Sequence, residues 1–233
     1  MISRSSRPAR RSRILRVALT GGIACGKSVV AEILKDKGCF VYSADAAAHD
    51  LMTPGQPAWK KVVARFGRGV LNPDGSVNRS ILGKIIFENA EARHFLNALI
   101  HPLVLAEQAK VIATVERQGR HAIFVSEAAL TVEAGYAPLF DKVIVVHCRT
   151  SLQARRLMER NGIGETAARN KIGSQLPQED KLKQADYAID TSGSLAETVE
   201  QTERVFAALI QDAKLVDRRP AKETGRRTRS ITD

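Results

Sequence analysis

The sequence predicts an α/β protein with a doubly wound parallel sheet of about five strands, a helical insertion and a helical lid. Short, almost entirely apolar runs alternate with segments of helical periodicity, as in a parallel sheet covered by helices on both faces. A glycine-rich segment joins the first apolar run to the first helix. The chain of 233 residues is long enough for one large domain with an inserted lobe.

The predicted strands are short, and the intervals between them leave room for helices. They comprise residues 16–20, 39–42, 122–125, 142–146 and 187–190. Residues 29–34 have the apolar spacing of a first helix, and Gly38 stands where a C′ glycine would end it. Residues 195–215 predict the last helix of the fold.

Two longer segments interrupt this alternation. Residues 60–118 predict helices with a turn at Pro73-Asp74-Gly75, and we interpret them as an inserted helical lobe. Residues 151–183 are helical, polar and rich in Arg, Lys, Gln and Glu, and we expect them to form a lid. The sheet-bearing core then comprises residues 14–59 and 119–216.

The net charge of +11 lies mainly in two tails. Residues 1–13 carry +5 and residues 217–233 carry +3, and neither segment has apolar periodicity, so both are predicted to be disordered. They are either solvated segments without a partner or weak attractors of RNA and other polyanions. No specific nucleic-acid partner is expected, because the rest of the chain carries only +3.

Composition also indicates where the protein works. The sequence has no run of about 18 apolar residues and no secretory signal at its N-terminus, so we expect a cytoplasmic protein without a membrane partner. Its three cysteines, Cys25, Cys39 and Cys148, are odd in number and far apart. This spacing argues against a disulfide framework and favours a reducing compartment.

A phosphate-binding loop is the strongest functional signal. Gly21–Ser28 matches G-x-x-x-x-G-K-[ST] between a strand and a helix, the context in which backbone N–H groups hold a triphosphate. Lys27 would contact the β- and γ-phosphates, and Ser28 would offer its hydroxyl to Mg²⁺. The predicted ATP-binding residues are Gly22, Ile23, Ala24, Cys25, Gly26, Lys27, Ser28 and Val29.

This loop occurs in GTPases, mechanical ATPases and small-molecule kinases alike. A GTPase would need Asn-Lys-x-Asp, and the nearest segment, Asn170-Lys171-Ile172-Gly173, lacks the aspartate. Asp45 follows the second strand, so it should lie near the phosphates and could accept a proton or hold metal-bound water. A helix N-cap is the alternative role of Asp45.

Several motifs, in order along the chain, resemble those of the dephospho-CoA kinase family. They are LTGGIACGKS, SAD, PGQPAW, DGSVNR, IHPLV, VEAG, QLPQEDK and ADYAIDTSG. The resemblance implies Mg²⁺-dependent transfer of the ATP γ-phosphoryl group to the ribose 3′-hydroxyl of dephospho-CoA, the last step of coenzyme A synthesis. It also implies that Asp45 is the general base, although Ser43 replaces the first aspartate of the family's D-A-D segment.

The resemblance implies further site residues. Glu127 would replace a family aspartate near Mg²⁺, or else only cap the next segment. Arg79 and His101 fall on motifs of the acceptor-binding lobe, although the position of His101 before Pro102 predicts a helix-start or packing residue. Arg156 and Arg160 would stabilise the transferred phosphoryl group, or else lie on a solvated helix face with Arg155. Thr191 stands where the family has an asparagine near adenine.

The sequence leaves two other functions open, and it predicts a reactive thiol at Cys25. The chain could phosphorylate a different nucleoside-like acceptor, or be a basic nucleic-acid-binding ATPase. Cys25 lies beside Lys27 at a helix N-terminus, which predicts a lowered thiol pKa and raised reactivity. The alternative is that this loop position merely tolerates a small side chain.

Overall fold

The computed structural model describes residues 13–218. The tails predicted to be disordered, residues 1–13 and 217–233, lie outside the described residues except for Arg13 and residues 217–218. Arg13 forms an ion pair with Asp141 at 3.3 Å, and the last helix continues to Arg218.

Five strands and nine α-helices make up the described part of the chain. The strands are β1 (Leu15–Gly21), β2 (Phe40–Ser43), β3 (Ile123–Glu127), β4 (Lys142–His147) and β5 (Tyr187–Asp190). The helices are α1 (Lys27–Asp36), α2 (Ala44–Asp50), α3 (Pro57–Phe66), α4 (Arg79–Glu88), α5 (Ala90–Gln118), α6 (Thr150–Asn161), α7 (Glu165–Gly173), α8 (Gln178–Leu182) and α9 (Leu195–Arg218). All five predicted strands exist, each within two residues of its expected bounds.

The strands form one parallel sheet in the order β2-β3-β1-β4-β5. Strand β1 lies at the centre, between β3 and β4. The carboxyl ends of parallel strands open at one edge of a sheet, so the segments that follow β1, β2 and β3 converge there. The predicted fold class is confirmed.

Helices cover both faces of the sheet. On one face, Leu15, Val17 and Leu19 of β1 pack with Leu34 of α1 and Leu209 of α9, all of them buried. Successive residues of a strand point to opposite faces of the sheet. On the second face, Ala18, Val143 and Val145 form another buried cluster with Ala137. Burial on both faces explains why the strands are apolar at nearly every position.

The helices between β2 and β3 have a core of their own. Val62 of α3, Leu82 of α4 and Ile100 of α5 are among its buried members, and side chains of α2 pack against it. By length and composition alone, α5 could cross a membrane. Its Leu96, Ile100 and Val104 belong to this core, however, as expected for a helix of a folded lobe.

Replacing Leu34 with alanine should lower the free energy of unfolding by about 2–5 kcal/mol, because the side chain is fully buried between β1 and the helices and its removal leaves a cavity. Urea denaturation followed by circular dichroism measures this change. Leu215→Ala on α9 is the matched control: Leu215 is 57% exposed, so its loss should change stability by no more than about 0.5 kcal/mol. Equal losses in the two variants would contradict the packing described above.

Candidate active site

The phosphate loop follows β1 and has a backbone that few residue types tolerate. A Cβ atom on Gly21 would lie only 2.3 Å from the carbonyl oxygen of Val146 in β4, which requires glycine. Gly26 has φ 82°, which also favours glycine, and α1 begins at the next residue. Ala24 has φ 58°, a conformation that costs about 1 kcal/mol or more outside glycine and is typical of functional sites.

Side chains from distant segments hold this loop in place. Thr191 Oγ1 donates to the carbonyl oxygen of Cys25 at 2.8 Å. Gln153 Nε2 donates to the carbonyl oxygen of Ile23 at 2.8 Å, and the amide N–H of Ile23 donates to Gln175 Oε1 at 2.7 Å. The loop conformation therefore depends on α6, on the segment before α8 and on the end of β5.

Lys27 and Ser28, at the start of α1, share one carboxylate at the end of β3. Glu127 Oε1 lies 3.1 Å from Lys27 Nζ and 3.3 Å from Ser28 Oγ. Glu127 is also paired in register with Ser43 of β2. The carboxylate thus faces the phosphate loop rather than capping the turn after β3.

A cavity of about 390 Å³, which we call the loop cavity, lies against the phosphate loop. Asp45, Arg156 and Arg160 line it together with Gln175 and the loop residues from Gly22 to Ser28. The structure therefore brings together the predicted triphosphate residues, both predicted arginines and the predicted base. Lys27, Arg156 and Arg160 give the cavity three cationic side chains suited to phosphate oxygens.

Asp45 is the second residue of α2 and lies in the first turn of that helix. The helix N-cap is Ser43, whose hydroxyl accepts the Ala46 N–H at 3.2 Å, so the alternative role of Asp45 as N-cap is wrong. Asp45 is exposed, yet surrounding protein atoms displace much of the water around its carboxyl. This desolvation raises the pKa of Asp45 above its usual value, and the charges of Lys27 and Arg79 oppose the rise.

Asp45 also lines a second cavity of about 210 Å³, which we call the α5 cavity. His101 and Tyr136 meet there edge to face with ring centroids 5.4 Å apart, and the Tyr136 hydroxyl lies 3.3 Å from His101 Nδ1. Burial lowers the pKa of His101, which favours the neutral ring. The expectation that His101 starts a helix is wrong, because α5 continues through Pro102.

A third cavity of about 310 Å³, the β5 cavity, adjoins the loop cavity at Arg156. Arg156 is fixed there by hydrogen bonds from its guanidinium to Thr191 Oγ1 at 3.1 Å and to the Thr191 carbonyl oxygen at 3.0 Å. Val29 and Leu195 line this cavity, and their side chains are accessible, with 43% and 66% of each residue exposed. Two exposed aliphatic side chains beside a phosphate loop suit the flat faces of a nucleobase.

The remaining basic residues differ in their surroundings. Arg79 begins α4 after the N-cap Asn78, is exposed, and acts on Asp45 through its charge rather than by lining any of the three cavities. Arg160 is exposed and donates from Nε to Asn161 Oδ1 at 3.0 Å. Arg155 lies 4.0 Å from Glu159 on the solvated side of α6, so the proposed basic stripe divides into Arg156 and Arg160 on one side and Arg155 on the other.

The expected low pKa of Cys25 is wrong. Its thiol is completely buried beneath the loop, where it lies against Cys148 and donates to Gln178 Oε1 at 3.3 Å. The neighbouring Cys148 and the burial together raise the pKa of Cys25. The backbone of Cys25 belongs to the phosphate loop, but its side chain points into the core.

Three side chains of the QLPQEDK motif support the site and were not assigned from the sequence. Gln175 contacts the loop at Ile23, and Gln178 bonds to both the N–H and the carbonyl oxygen of Cys148 at 3.1 Å. Lys181 is fully buried, forms an ion pair with Glu133 at 2.5 Å and donates to the Ala129 carbonyl oxygen at 3.4 Å. Their regular spacing along the motif is the sequence signal that could have identified them as residues supporting the site.

A divalent cation would find suitable ligands beside Lys27. Within residues 13–218, no group of three or more His, Cys, Asp and Glu side chains could hold a metal ion by itself. Mg²⁺ in phosphoryl-transfer sites commonly binds one or two protein oxygens, with water and phosphate supplying the others. Ser28 Oγ and Glu127 Oε1, 3.3 Å apart, fit that requirement.

A phosphate loop on the central strand of this sheet, flanked by arginines and facing a carboxylate at the next strand end, defines a P-loop kinase. Solved structures agree on the fold. A protein from Thermus thermophilus described as TT1252 superimposes with a TM-score of 0.72 at 24% identity, covering 85% of this chain and 98% of that one. Shikimate kinase from Acinetobacter baumannii gives a TM-score of 0.50 at 14% identity, covering 86% and 96%.

Sequence comparison identifies the family. The profile of dephospho-CoA kinase matches residues 15–197. A dephospho-CoA kinase from Carboxydothermus hydrogenoformans is 43% identical over 79% of this chain and 89% of its own length, and one from Geobacillus kaustophilus is 41% identical over 84% and 96%. The solved dephospho-CoA kinase from Campylobacter jejuni is 31% identical, with a TM-score of 0.62 over 84% and 98% of the two chains. The chain belongs to the dephospho-CoA kinase family.

The pKa of Asp45 should lie above the ordinary aspartate value of about 3.9, because protein atoms displace water from its carboxyl. Arg79→Met should raise this pKa further, since the positive charge of Arg79 favours the ionised form and its loss moves deprotonation to higher pH. Carboxyl carbon shifts in an NMR titration report both values. Lys84→Met, also exposed on α4, is the control and should leave the Asp45 titration unchanged. An Asp45 pKa at or below the ordinary value would contradict the site electrostatics.

Proposed function

We propose that this protein transfers the γ-phosphoryl group of ATP to the ribose 3′-hydroxyl of dephospho-CoA, the reaction of its family. The observation that carries the proposal is the position of Asp45, which lines both the loop cavity and the α5 cavity. A phosphate donor in one cavity and a hydroxyl acceptor in the other would meet at this carboxylate. Kinases require that geometry, because the acceptor must approach in line with the transferred phosphorus.

ATP fits the loop cavity and the β5 cavity together. Backbone N–H groups from Gly22 to Ser28 would hold the phosphates, and the Lys27 ammonium would contact the β- and γ-oxygens. Adenine would lie between Val29 and Leu195, next to Thr191. Arg156 lines both cavities, so its guanidinium can contact the phosphates while Thr191 fixes its direction.

Ser28 and Glu127 would hold Mg²⁺, which neutralises charge on the β- and γ-phosphates when it is bound. The Lys27 ammonium now paired with Glu127 would then be available to the phosphate oxygens. Arg156 and Arg160 supply further positive charge where the phosphoryl group transfers.

Asp45 accepts the proton of the attacking hydroxyl. It must be ionised to do so, and its raised pKa makes the ionised form a better proton acceptor than an ordinary aspartate. Ser43, which stands in place of a second aspartate, fixes α2 by capping it and leaves Asp45 as the acidic residue of this turn.

The acceptor would occupy the α5 cavity, whose walls come mainly from α5 and from the segment after β3. We assign substrate contact to His101, whose ring Tyr136 orients, and to Arg79, whose charge acts on Asp45. Residues 60–118 then act as the acceptor lobe and residues 151–183 as a lid that excludes water and limits ATP hydrolysis. The three cysteines are free, which fits a reducing cytoplasm.

Lys27→Ala should lower the rate of ADP release with dephospho-CoA by about 10²–10³-fold, because it removes a cation from the transferred phosphates. The protein should still fold, with a lower melting temperature, because the largely buried Glu127 carboxylate loses its ion-pair partner. The matched control is Lys35→Ala on the same helix, whose side chain is 60% exposed and should be dispensable. A Lys27→Ala variant with near wild-type turnover would remove the loop from the mechanism.

Asp45→Asn should lower kcat by about 10²-fold or more while changing the KM for ATP only modestly, because an amide cannot accept the proton. Steady-state assays with each substrate varied separate the two constants. Asp50→Asn, at the exposed end of the same helix, is the control and should retain wild-type kcat. Weaker ATP binding with unchanged kcat would instead make Asp45 part of the metal site.

A further inference from the structure

Two thiols lie side by side beneath the phosphate loop, and phosphoryl transfer uses neither of them. The Sγ atoms of Cys25 and Cys148 are 3.6 Å apart, although 123 positions separate the residues in sequence. Both cysteines are free and buried. We propose that a peroxide oxidises Cys25 and Cys148 to a reversible disulfide, and that this bond disables the phosphate loop.

The surroundings make Cys148 the thiol that reacts first. When Cys148 is ionised, the Cys25 thiol donates to the Cys148 sulfur instead of to Gln178 Oε1. This hydrogen bond lowers the pKa of Cys148 to about 7, and the charge of Arg156 contributes in the same direction. Cys25 has a raised pKa and stays protonated. Because the thiolate is the nucleophilic form, Cys148 is the residue that attacks an oxidant.

The reaction needs only hydrogen peroxide as a co-reactant. The Cys148 thiolate attacks one peroxide oxygen, an S–O bond forms as the O–O bond breaks, and the departing hydroxide takes up a proton to become water. The sulfur of Cys25 then attacks the sulfenic acid at Cys148. An S–S bond forms as the S–O bond breaks, and the leaving oxygen takes the Cys25 proton as a second water. Two thiols are oxidised and one peroxide is reduced to two waters.

The loop cavity brings a small oxidant to the outer side of the phosphate loop, beneath which both thiols are buried, so the oxidant reaches them when the loop opens locally. Cys25 and Arg156 both line this cavity, and Arg156 is one of the charges that act on Cys148. The phosphates of ATP would occupy the same space. Bound MgATP should therefore slow the oxidation.

Bond formation would move the phosphate loop. A disulfide requires sulfur atoms about 2.05 Å apart, so the two thiols must approach each other. The Cys25 carbonyl oxygen is held by Thr191 and its sulfur by Gln178, so this approach competes with the contacts that fix the loop. A displacement of about 1 Å in a catalytic site can lower the rate about 10²-fold, and we expect at least about a 10-fold loss of turnover.

The test uses the full chain, first reduced and then treated with hydrogen peroxide. Intact mass should fall by two hydrogen atoms, and peptide mapping should find Cys25 linked to Cys148. Turnover should fall by at least about 10-fold, dithiothreitol should restore both mass and turnover, and MgATP should slow both changes. Because the mass and the peptide map do not depend on activity, failure of this proposal can be told apart from failure of the proposed function.

Cys148→Ser and Cys39→Ser form a matched pair of variants. Cys39 is also buried, and burial raises its pKa to about 12, but it has no part in the paired thiols. Cys39→Ser should form the Cys25–Cys148 link as the unchanged chain does. Cys148→Ser should form no link between these positions, and the ratio of treated to untreated turnover should stay near one.

Three results would overturn the proposal. They are the addition of oxygen without a cross-link, a cross-link that involves Cys39, and a complete Cys25–Cys148 link with full turnover. If Cys148→Ser does not fold, the peptide map and turnover of the unchanged chain still decide between these results.

Discussion

Lys27 Nζ contacts Glu127 Oε1 at 3.1 Å because β1 and β3 are parallel neighbours that end at the same edge of the sheet. The pairing of Leu19 with Glu127, and of Glu127 with Ser43, sets how far each following segment extends beyond that edge. The phosphate loop, the Glu127 carboxylate and the turn bearing Asp45 therefore meet around one point. A shift of one residue in either pairing would turn Glu127 to the opposite face and separate it from Lys27.

Residues 175–181 connect the phosphate loop to the wall of the α5 cavity. Gln175 bonds to the phosphate loop, Gln178 bonds to the backbone after β4, and Lys181 holds Glu133 and the Ala129 carbonyl oxygen. Ala129 lines the loop cavity, and the residues that follow it line the α5 cavity. The same short segment thus fixes the loop that would hold ATP and the wall that would face the acceptor. This sharing gives a physical reason for a lysine that is fully buried.

The sequence predicted those parts of the structure that depend on local pattern. Apolar runs located all five strands, and the glycine pattern located the phosphate loop, because Gly21 and Gly26 are needed for reasons of backbone geometry. Three features were missed or misassigned, one of them local and two set by packing against other segments. Ser43, not Asp45, caps α2; the packing of α5 overrides the helix-breaking tendency of Pro102; and Cys25 faces Cys148, whose proximity no local pattern reveals. The roles of Asp45, Glu127, Arg79 and His101 remain predictions that their positions support.

If the two cavities flanking Asp45 serve one transfer from ATP to a ribose hydroxyl, the product formed from MgATP and dephospho-CoA should show it. Mass spectrometry gives the composition of this product, and phosphorus–proton NMR gives the attachment site. We expect one product, heavier than dephospho-CoA by one phosphoryl group that is carried on the ribose 3′-oxygen, formed in equal amount to ADP. Release of ADP with inorganic phosphate and unchanged dephospho-CoA would contradict this expectation.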